Sequence, residues 1–216
     1  MPNATAYEQL ERRLSQVRVL EDAAGILGWD AQAIMPVGAA AGRAEQLAAL
    51  HGLAHDALTA REVPDLLEAA DLDKPGLDAW QSANLREMRR SYVRAAALPH
   101  DLVVAMSKAS SQAEMVWREA RRTSDFQLLL PHLKTVLELQ REAGRAKGEA
   151  LGVSTYDALL DQYDPGLRQS RIDPLFDALR QELPALIAQA REHQDRLPAP
   201  LPVSYTHLTL PTNREV

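Results

Sequence analysis

Apolar positions recur every three or four residues along most of the chain, a spacing that predicts a succession of amphipathic helices. The first helix carries Tyr7, Leu10, Leu14, Val17, Ala24 and Leu27 on one stripe and runs from about Thr5 to Trp29. Gly28-Trp29-Asp30 and then Met35-Pro36-Val37-Gly38 predict an elbow. Proline cannot continue a helical ladder, and glycine costs chain entropy within one. A second helix, from about Ala39 to Arg61, turns Ala44, Leu47, Leu50, Ala54 and Leu58 inward. Trp29 is a large apolar side chain at the elbow and is expected to wedge between the two helices.

The same reading extends to the end of the helical region. Pro64-Asp65 opens a short helix ending near Ala70, and Asp71–Lys74 reads as a loop. Pro75 suits the first turn of a fourth helix bearing Leu77, Trp80, Leu85, Met88, Tyr92 and Ala95. Pro99-His100-Asp101 punctuates, and Leu102, Met106, Ala109, Ala113 and Trp117 follow on a fifth helix. Thr123-Ser124-Asp125 is a stop and N-cap signal for a sixth, which ends near Gly152. Tyr156–Gln162 predicts a short helix and Asp164-Pro165-Gly166 a turn. Ser170 and Asp173 have the spacing of a capping start to a last long helix reaching about Arg196. No stretch alternates apolar and polar residues, no Asn-Gly or Asp-Gly hairpin turn occurs, and no repeat of fixed period is present. The expected fold class is all-α, an array of about seven mostly antiparallel helices.

Composition sharpens this picture. Hydrophobic residues make up 46% and charged residues 25%, as in soluble globular proteins, while aromatics reach only 5%. Without cysteine, disulfides, thiolate zinc ligands and thiol nucleophiles are excluded together. There is no apolar run long enough for a membrane span and no basic-then-apolar leader, so the expectation is a cytoplasmic protein without a membrane partner. A net charge of −6 is a poor match for nucleic acid, whose binders carry a basic face. Arg86, Arg89, Arg90 and Arg94 form the one basic cluster, expected to be a solvated helix face paired with glutamates such as Glu87.

Candidate chemistry is thin. His51 and His55 stand four apart on one helix and could share a metal. A zinc hydrolase of the H-E-x-x-H type needs a glutamate base directly after the first histidine, and here that residue is Gly52, with Glu45 six residues before His51. Both histidines are therefore expected to be structural or at the surface. Asp30 is expected to cap a turn. Asp157, Asp161 and Asp164, between Tyr156 and Tyr163, could hold a cation or share a proton, yet capping and turn roles explain them. Trp80 and Trp117 are expected in interhelical packing. Ser107, Ser110 and Ser111 lack a readable histidine partner, and no nucleophile elbow or phosphate-binding loop occurs. These residue patterns assign no catalytic residue, no cofactor-binding residue and no metal ligand.

Two segments carry a family resemblance. Leu27–Pro36, LGWDAQAIMP, followed by RAEQLAALHGLAH at Arg43–His55, resembles the N-terminal region of the carboxypeptidase Taq family of metallocarboxypeptidases. Tyr156–Arg180, YDALLDQYDPGLRQSRIDPLFDALR, resembles a segment that precedes that family's catalytic helices. The resemblance implies that residues 1–202 are the N-terminal helical region of a larger helical metallopeptidase. It implies peptide substrates shortened from the C-terminus, a divalent zinc or cobalt ion, and a homodimer. Trp29, Asp30, Met35, Pro36 and the Tyr156–Gly166 segment match positions whose family role is structural. The family's metal-binding H-E-x-x-H helix has no counterpart in the sequence, so the chain is expected to be inactive alone. Val203–Thr212, VSYTHLTLPT, resembles a translated transposase adapter used for sequencing libraries, which implies that 203–216 is a non-native tail. The competing expectation is a non-enzymatic helical interaction or scaffold module. A severed domain should differ from a self-contained module by exposing broad apolar faces, with Ala95–Ala97 and Leu128–Leu130 the first places to look.

Overall fold

The computed structural model describes residues 4–73 and 76–197; Pro75 and the tail from Pro198 onward lie outside the described residues. Among the described residues there are eight α-helices and no strand, one helix more than the count of about seven. Helix α1 spans Ala6–Ala33 and starts in a capping box: Thr5 Oγ1 accepts from the Glu8 N–H at 3.2 Å, while the Thr5 N–H donates to Glu8 Oε2 at 2.9 Å. The helix passes straight through Gly28-Trp29-Asp30. Its end comes at Ala33, where the Asp30 carbonyl accepts from the N–H groups of Ile34 and Met35. Pro36 sets the boundary, because the residue before a proline is pushed out of the helical region.

That extra turn alters the expectation for Trp29. It follows buried Ala24 by five residues, which places it about 140° round the helix, on the far side from the packed stripe. It is 63% exposed and wedges between nothing. Trp80, at the start of α4, is likewise turned away from Leu85 five residues later and is 81% exposed. Trp117 is partly exposed, with the Arg121 guanidinium 5.5 Å from its ring centroid, a solvent-side cation–π contact rather than core packing.

A single 3₁₀ turn, Val37–Ala39, leads into α2 (Ala40–Leu58), followed by α3 (Val63–Leu72), α4 (Ala79–Ala96) and α5 (His100–Thr123). Helices α6 (Phe126–Leu151) and α7 (Thr155–Leu160) follow. Ser124 takes the left-handed conformation at φ 57°, and Asp125 Oδ1 accepts from the Gln127 N–H at 3.0 Å, as the stop-and-cap signal predicts. Gly152 closes α6 at φ 66°, a conformation glycine adopts without penalty.

Helix α2 is the middle of the array, packed on α1 and on α5. Its buried line is made of small residues, Ala44, Ala48, Gly52 and Ala54, so both neighbours approach closely. Pairings along the seams fix the directions. Arg43 reaches Asp30 near the elbow, while Arg13 reaches the Ala57 carbonyl at the other end, so α1 and α2 are antiparallel. Glu45–Lys108, His51–Ser107 and Asp56–His100 run in opposite order along α2 and α5, which are antiparallel as well. Helix α6 packs on α5 and α7 on α6. At the other side, Tyr7, Leu10, Val63, Leu67, Ala70, Leu85 and Met88 close a core among α1, α3 and α4.

Among the described residues, those up to Gly166 form one compact unit and those from Leu167 a second. The second contains α8 (Gln169–Gln194), whose N-cap position is Arg168 with no side-chain cap; the expected capping by Ser170 is not formed. Helix α8 buries no residue, and Leu175, Phe176, Leu179, Leu183, Leu186 and Ile187 are all exposed. Ala96 and Leu128 are also exposed.

Candidate functional site

The elbow holds an ion pair where turn capping was expected. The Asp30 carboxylate pairs with Arg43, whose guanidinium also donates to the Leu27 carbonyl at 2.8 Å. Both side chains are largely covered. The pair ties the end of α1 to the start of α2, while the backbone carbonyl of Asp30, not its side chain, closes the helix.

The two histidines of α2 lie on the seam with α5 and take different environments. His51 Nδ1 is 2.9 Å from Ser107 Oγ. A histidine and a serine at that distance have the spacing of a base and a nucleophile. Ser107 is mid-helix, however, where backbone N–H groups are consumed by the helical ladder and none can stabilise an oxyanion. Sequence reading saw no histidine partner for Ser107; the two are fifty-six positions apart and meet only through the α2–α5 packing. His55 is half-buried, its ring centroid 6.3 Å from that of His100 in an edge contact. Burial pushes the His55 imidazole below its ordinary pKa, and the neighbouring His100 acts in the same direction against Asp56. His100 Nδ1 in turn lies 2.8 Å from Asp56 Oδ1.

A catalytic metal needs three or more converging donors. Among the described residues no group of three His, Cys, Asp or Glu side chains stands close enough to share a cation. Glu45, the nearest candidate base by sequence, is paired with Lys108 at 2.8 Å. Among the described residues His51 and His55 thus have no third donor beside them, and no hydrolytic step is assigned to them.

The segment after α6 is organised around Asp161. Ser154 Oγ accepts from the Asp157 N–H at 3.0 Å and starts α7. Asp161 is buried, and its Oδ1 accepts from the Gly166 N–H at 3.0 Å across the Asp-Pro-Gly turn. Gly166 sits at φ 87°, which a side chain would strain. To this expected turn role the fold adds an unexpected one. Arg94 Nη2 donates to Asp161 Oδ2 at 2.7 Å and to the Asp161 carbonyl at 2.7 Å, and Nε donates to Oδ2 at 3.1 Å. The basic cluster is thus only partly a solvated face: Arg90 and Arg86 lie near Glu87, but Arg89 pairs with Asp71 and Arg94 is drawn into the fold. A local signal existed for Asp161, which follows buried Ala158 by three residues and shares its face. Nothing local marks Arg94 as its partner.

Lys147 of α6 completes this neighbourhood, its Nζ 3.2 Å from Gln162 Oε1. Burial and the charge of Arg94 both hold its pKa below the usual lysine value.

The chain is similar to carboxypeptidases in sequence and in fold. It is 34% identical over 198 residues to thermostable carboxypeptidase 1 of Thermus thermophilus, covering 87% of this chain and 38% of that protein. It is 29% identical over 187 residues to thermostable carboxypeptidase 1 of Pyrococcus furiosus, covering 86% of this chain and 36% of that one. The solved structure of Trypanosoma cruzi metallocarboxypeptidase 1 superposes with a TM-score of 0.74 at 32% identity, covering 92% of this chain and 41% of that chain. The chain thus spans less than half the length of the relatives it matches. The sequence model described as carboxypeptidase Taq (M32) metallopeptidase matches residues 9–215. On this evidence the chain belongs to the carboxypeptidase Taq (M32) metallopeptidase family.

Proposed function

We propose that this chain is the N-terminal helical part of a metal-dependent carboxypeptidase that removes C-terminal residues from peptides, and that it is inactive by itself. The observation that carries the reading is the coverage: the fold match takes in 92% of this chain but 41% of the T. cruzi metallocarboxypeptidase. In the whole protein a zinc or cobalt ion would supply activation of a water molecule. The helices described here would contribute one wall of the substrate groove, with Arg43–Asp30 and Arg94–Asp161 holding its shape. We further assign the whole protein to the cytoplasm, as a homodimer. No helix among the described residues is long and apolar enough to cross a membrane.

Two experiments test this. The purified 216-residue chain is incubated with free-acid peptides and Zn²⁺ or Co²⁺, with and without chelator, and products are read by mass spectrometry. No chelator-sensitive loss of C-terminal residues is expected, and such a loss would overturn the assignment of inactivity. Source DNA is then sequenced beyond the codon for Pro202 without a transposase adapter. We read residues 203–216 as a non-native tail, on the strength of VSYTHLTLPT. An open frame continuing to an H-E-x-x-H motif supports the whole reading, and a genomic sequence encoding VSYTHLTLPT overturns the tail.

A further inference from the structure

A groove of about 370 Å³ opens where α1, α2, α4, α5 and α6 meet, within the first unit. Its floor is apolar, with Val17, Ala54, Leu58 and Leu98, and its polar groups converge from separate helices. The volume falls in the range of small-molecule sites, which are mostly apolar with a few placed polar groups.

One cation of this groove has no anion beside it. Arg94 lines it but is neutralised by Asp161, which takes two of its nitrogens and leaves that pair with no net charge. Lys147 lines it too, and among the described residues no carboxylate pairs with its ammonium; its hydrogen bond goes to the neutral amide of Gln162. A half-buried ammonium without an anion is costly, and burial and Arg94 both weaken its hold on the proton. Glu21 stands at the exposed rim, outside ion-pair distance of Lys147. His51 and His55 are the remaining titratable lining groups.

We propose that this groove binds a small monocarboxylate with an apolar tail, the carboxylate pairing with Lys147 and the tail lying over Val17, Ala54, Leu58 and Leu98. An anion there supplies the counter-charge the lysine lacks, and the tail removes the apolar floor from water. Binding there needs no metal and no hydrolysis, so its failure is distinguishable from failure of the carboxypeptidase reading. The same chemistry is offered by a free short-chain acid and by the C-terminal residue of a peptide.

The test is titration of the full chain with hexanoate, followed by the NMR signals of the Lys147 side chain. Saturable shifts with a dissociation constant in the millimolar range are expected, together with a rise in the Lys147 pKa on binding. Hexanol, which keeps the tail without the charge, is expected to bind at least tenfold more weakly. Lys147→Gln is expected to weaken hexanoate at least tenfold and leave hexanol unchanged. If that variant does not fold, the comparison of hexanoate with hexanol in the unaltered chain decides alone. Equal binding of the two, absence of saturation, or full affinity in folded Lys147→Gln overturns the proposal. N-acetyl-leucine and its amide distinguish the sources. Tighter binding of the acid than of hexanoate assigns the site to a peptide C-terminus, and the reverse order assigns it to a free acid.

Discussion

Arg94 holds Asp161 by both the carboxylate and the main-chain carbonyl, so one guanidinium anchors the turn after α7 to α4 across sixty-seven positions of sequence. The carboxylate is only 6% exposed and the guanidinium 19%, which separates this pair from the surface pairs. Removing one partner of a buried pair strands the other charge and costs about 3–5 kcal/mol, whereas an exposed pair is worth about 0–1 kcal/mol. Asp161→Asn should therefore lower unfolding free energy by about 3–5 kcal/mol, and Asp22→Asn, which breaks the exposed Arg18–Asp22 pair, by far less. Replacing both partners together, Arg94→Met with Asp161→Leu, should recover part of the loss. Urea unfolding of the four proteins checks the order, and equal effects of Asp161→Asn and Asp22→Asn would refute it.

His55 predicts a pH dependence of known sign. Burial lowers its folded pKa below 6.5, so the unfolded chain binds the proton more readily. Stability then rises with pH wherever the unfolded state holds more protons. This contribution is fully present above pH 6.5 and is lost as pH falls from there through the depressed folded value. His55→Gln should flatten that part of the stability profile and leave the neutral-pH side parallel to the parent. Chemical denaturation at half-unit pH steps measures it. An unchanged acid limb in the variant would show that His55 is not the group responsible.

These two sites mark the boundary of what the sequence displays. Helix positions and type follow from local period and capping chemistry, so the fifth-to-sixth boundary at Ser124-Asp125 and the turn at Gly166 fall where expected. The all-α class follows from the absence of any period of two. The position of a tryptophan on a helix is another matter. Size predicts Trp29 inside and the apolar stripe predicts Trp80 inside, yet a shift of five residues from the packed stripe sets both facing water. The elbow was set too early because Gly28 was given a helix-breaking weight it does not have beside Pro36. Pairings such as Arg94–Asp161 and His51–Ser107 depend on which helices become neighbours, a long-range outcome that no local spacing encodes. The lysine-lined groove is of the same kind: five helices meet to make it.

Glycine substitutions separate helix propensity from packing. A Cβ on Gly25 would meet nothing within 4 Å, and the residue is exposed in the middle of α1. Gly25→Ala should stabilise by about 0.5–1 kcal/mol, since alanine loses less backbone entropy in a helix. At Gly144, on the buried face of α6, a Cβ would stand 2.8 Å from Thr155 Cγ2 and 3.2 Å from two atoms of Leu159. There the same change forces α7 outward, and overpacking of about 1–3 kcal/mol outweighs the propensity gain. Thermal melts of the two variants should move in opposite directions. A higher melting temperature for Gly144→Ala would mean that the α6–α7 contact yields freely.

Helix α8 should be the least protected helix of the chain. No residue of it is buried, so little apolar burial supports its formation. Pro174 and Pro184 lie inside it, and a proline in a helix interior removes a ladder hydrogen bond at a cost of about 3 kcal/mol. In proteins most helical stability comes from packing of an amphipathic face rather than from propensity. Helix α2, by contrast, has Ala44, Ala48, Gly52 and Ala54 buried between two neighbours. In native-state hydrogen exchange the α8 amides should therefore exchange orders of magnitude faster than those near Ala48. The exposed stripe of Leu175, Leu179, Leu183 and Leu186 should also bind an apolar dye, and Leu179→Lys with Leu183→Lys should reduce the dye signal without changing α2 protection. Protection of α8 equal to that of α2 would mean that its apolar stripe is covered in solution, by self-association or by another segment. A concentration series would then identify the first of these by its dependence on protein concentration.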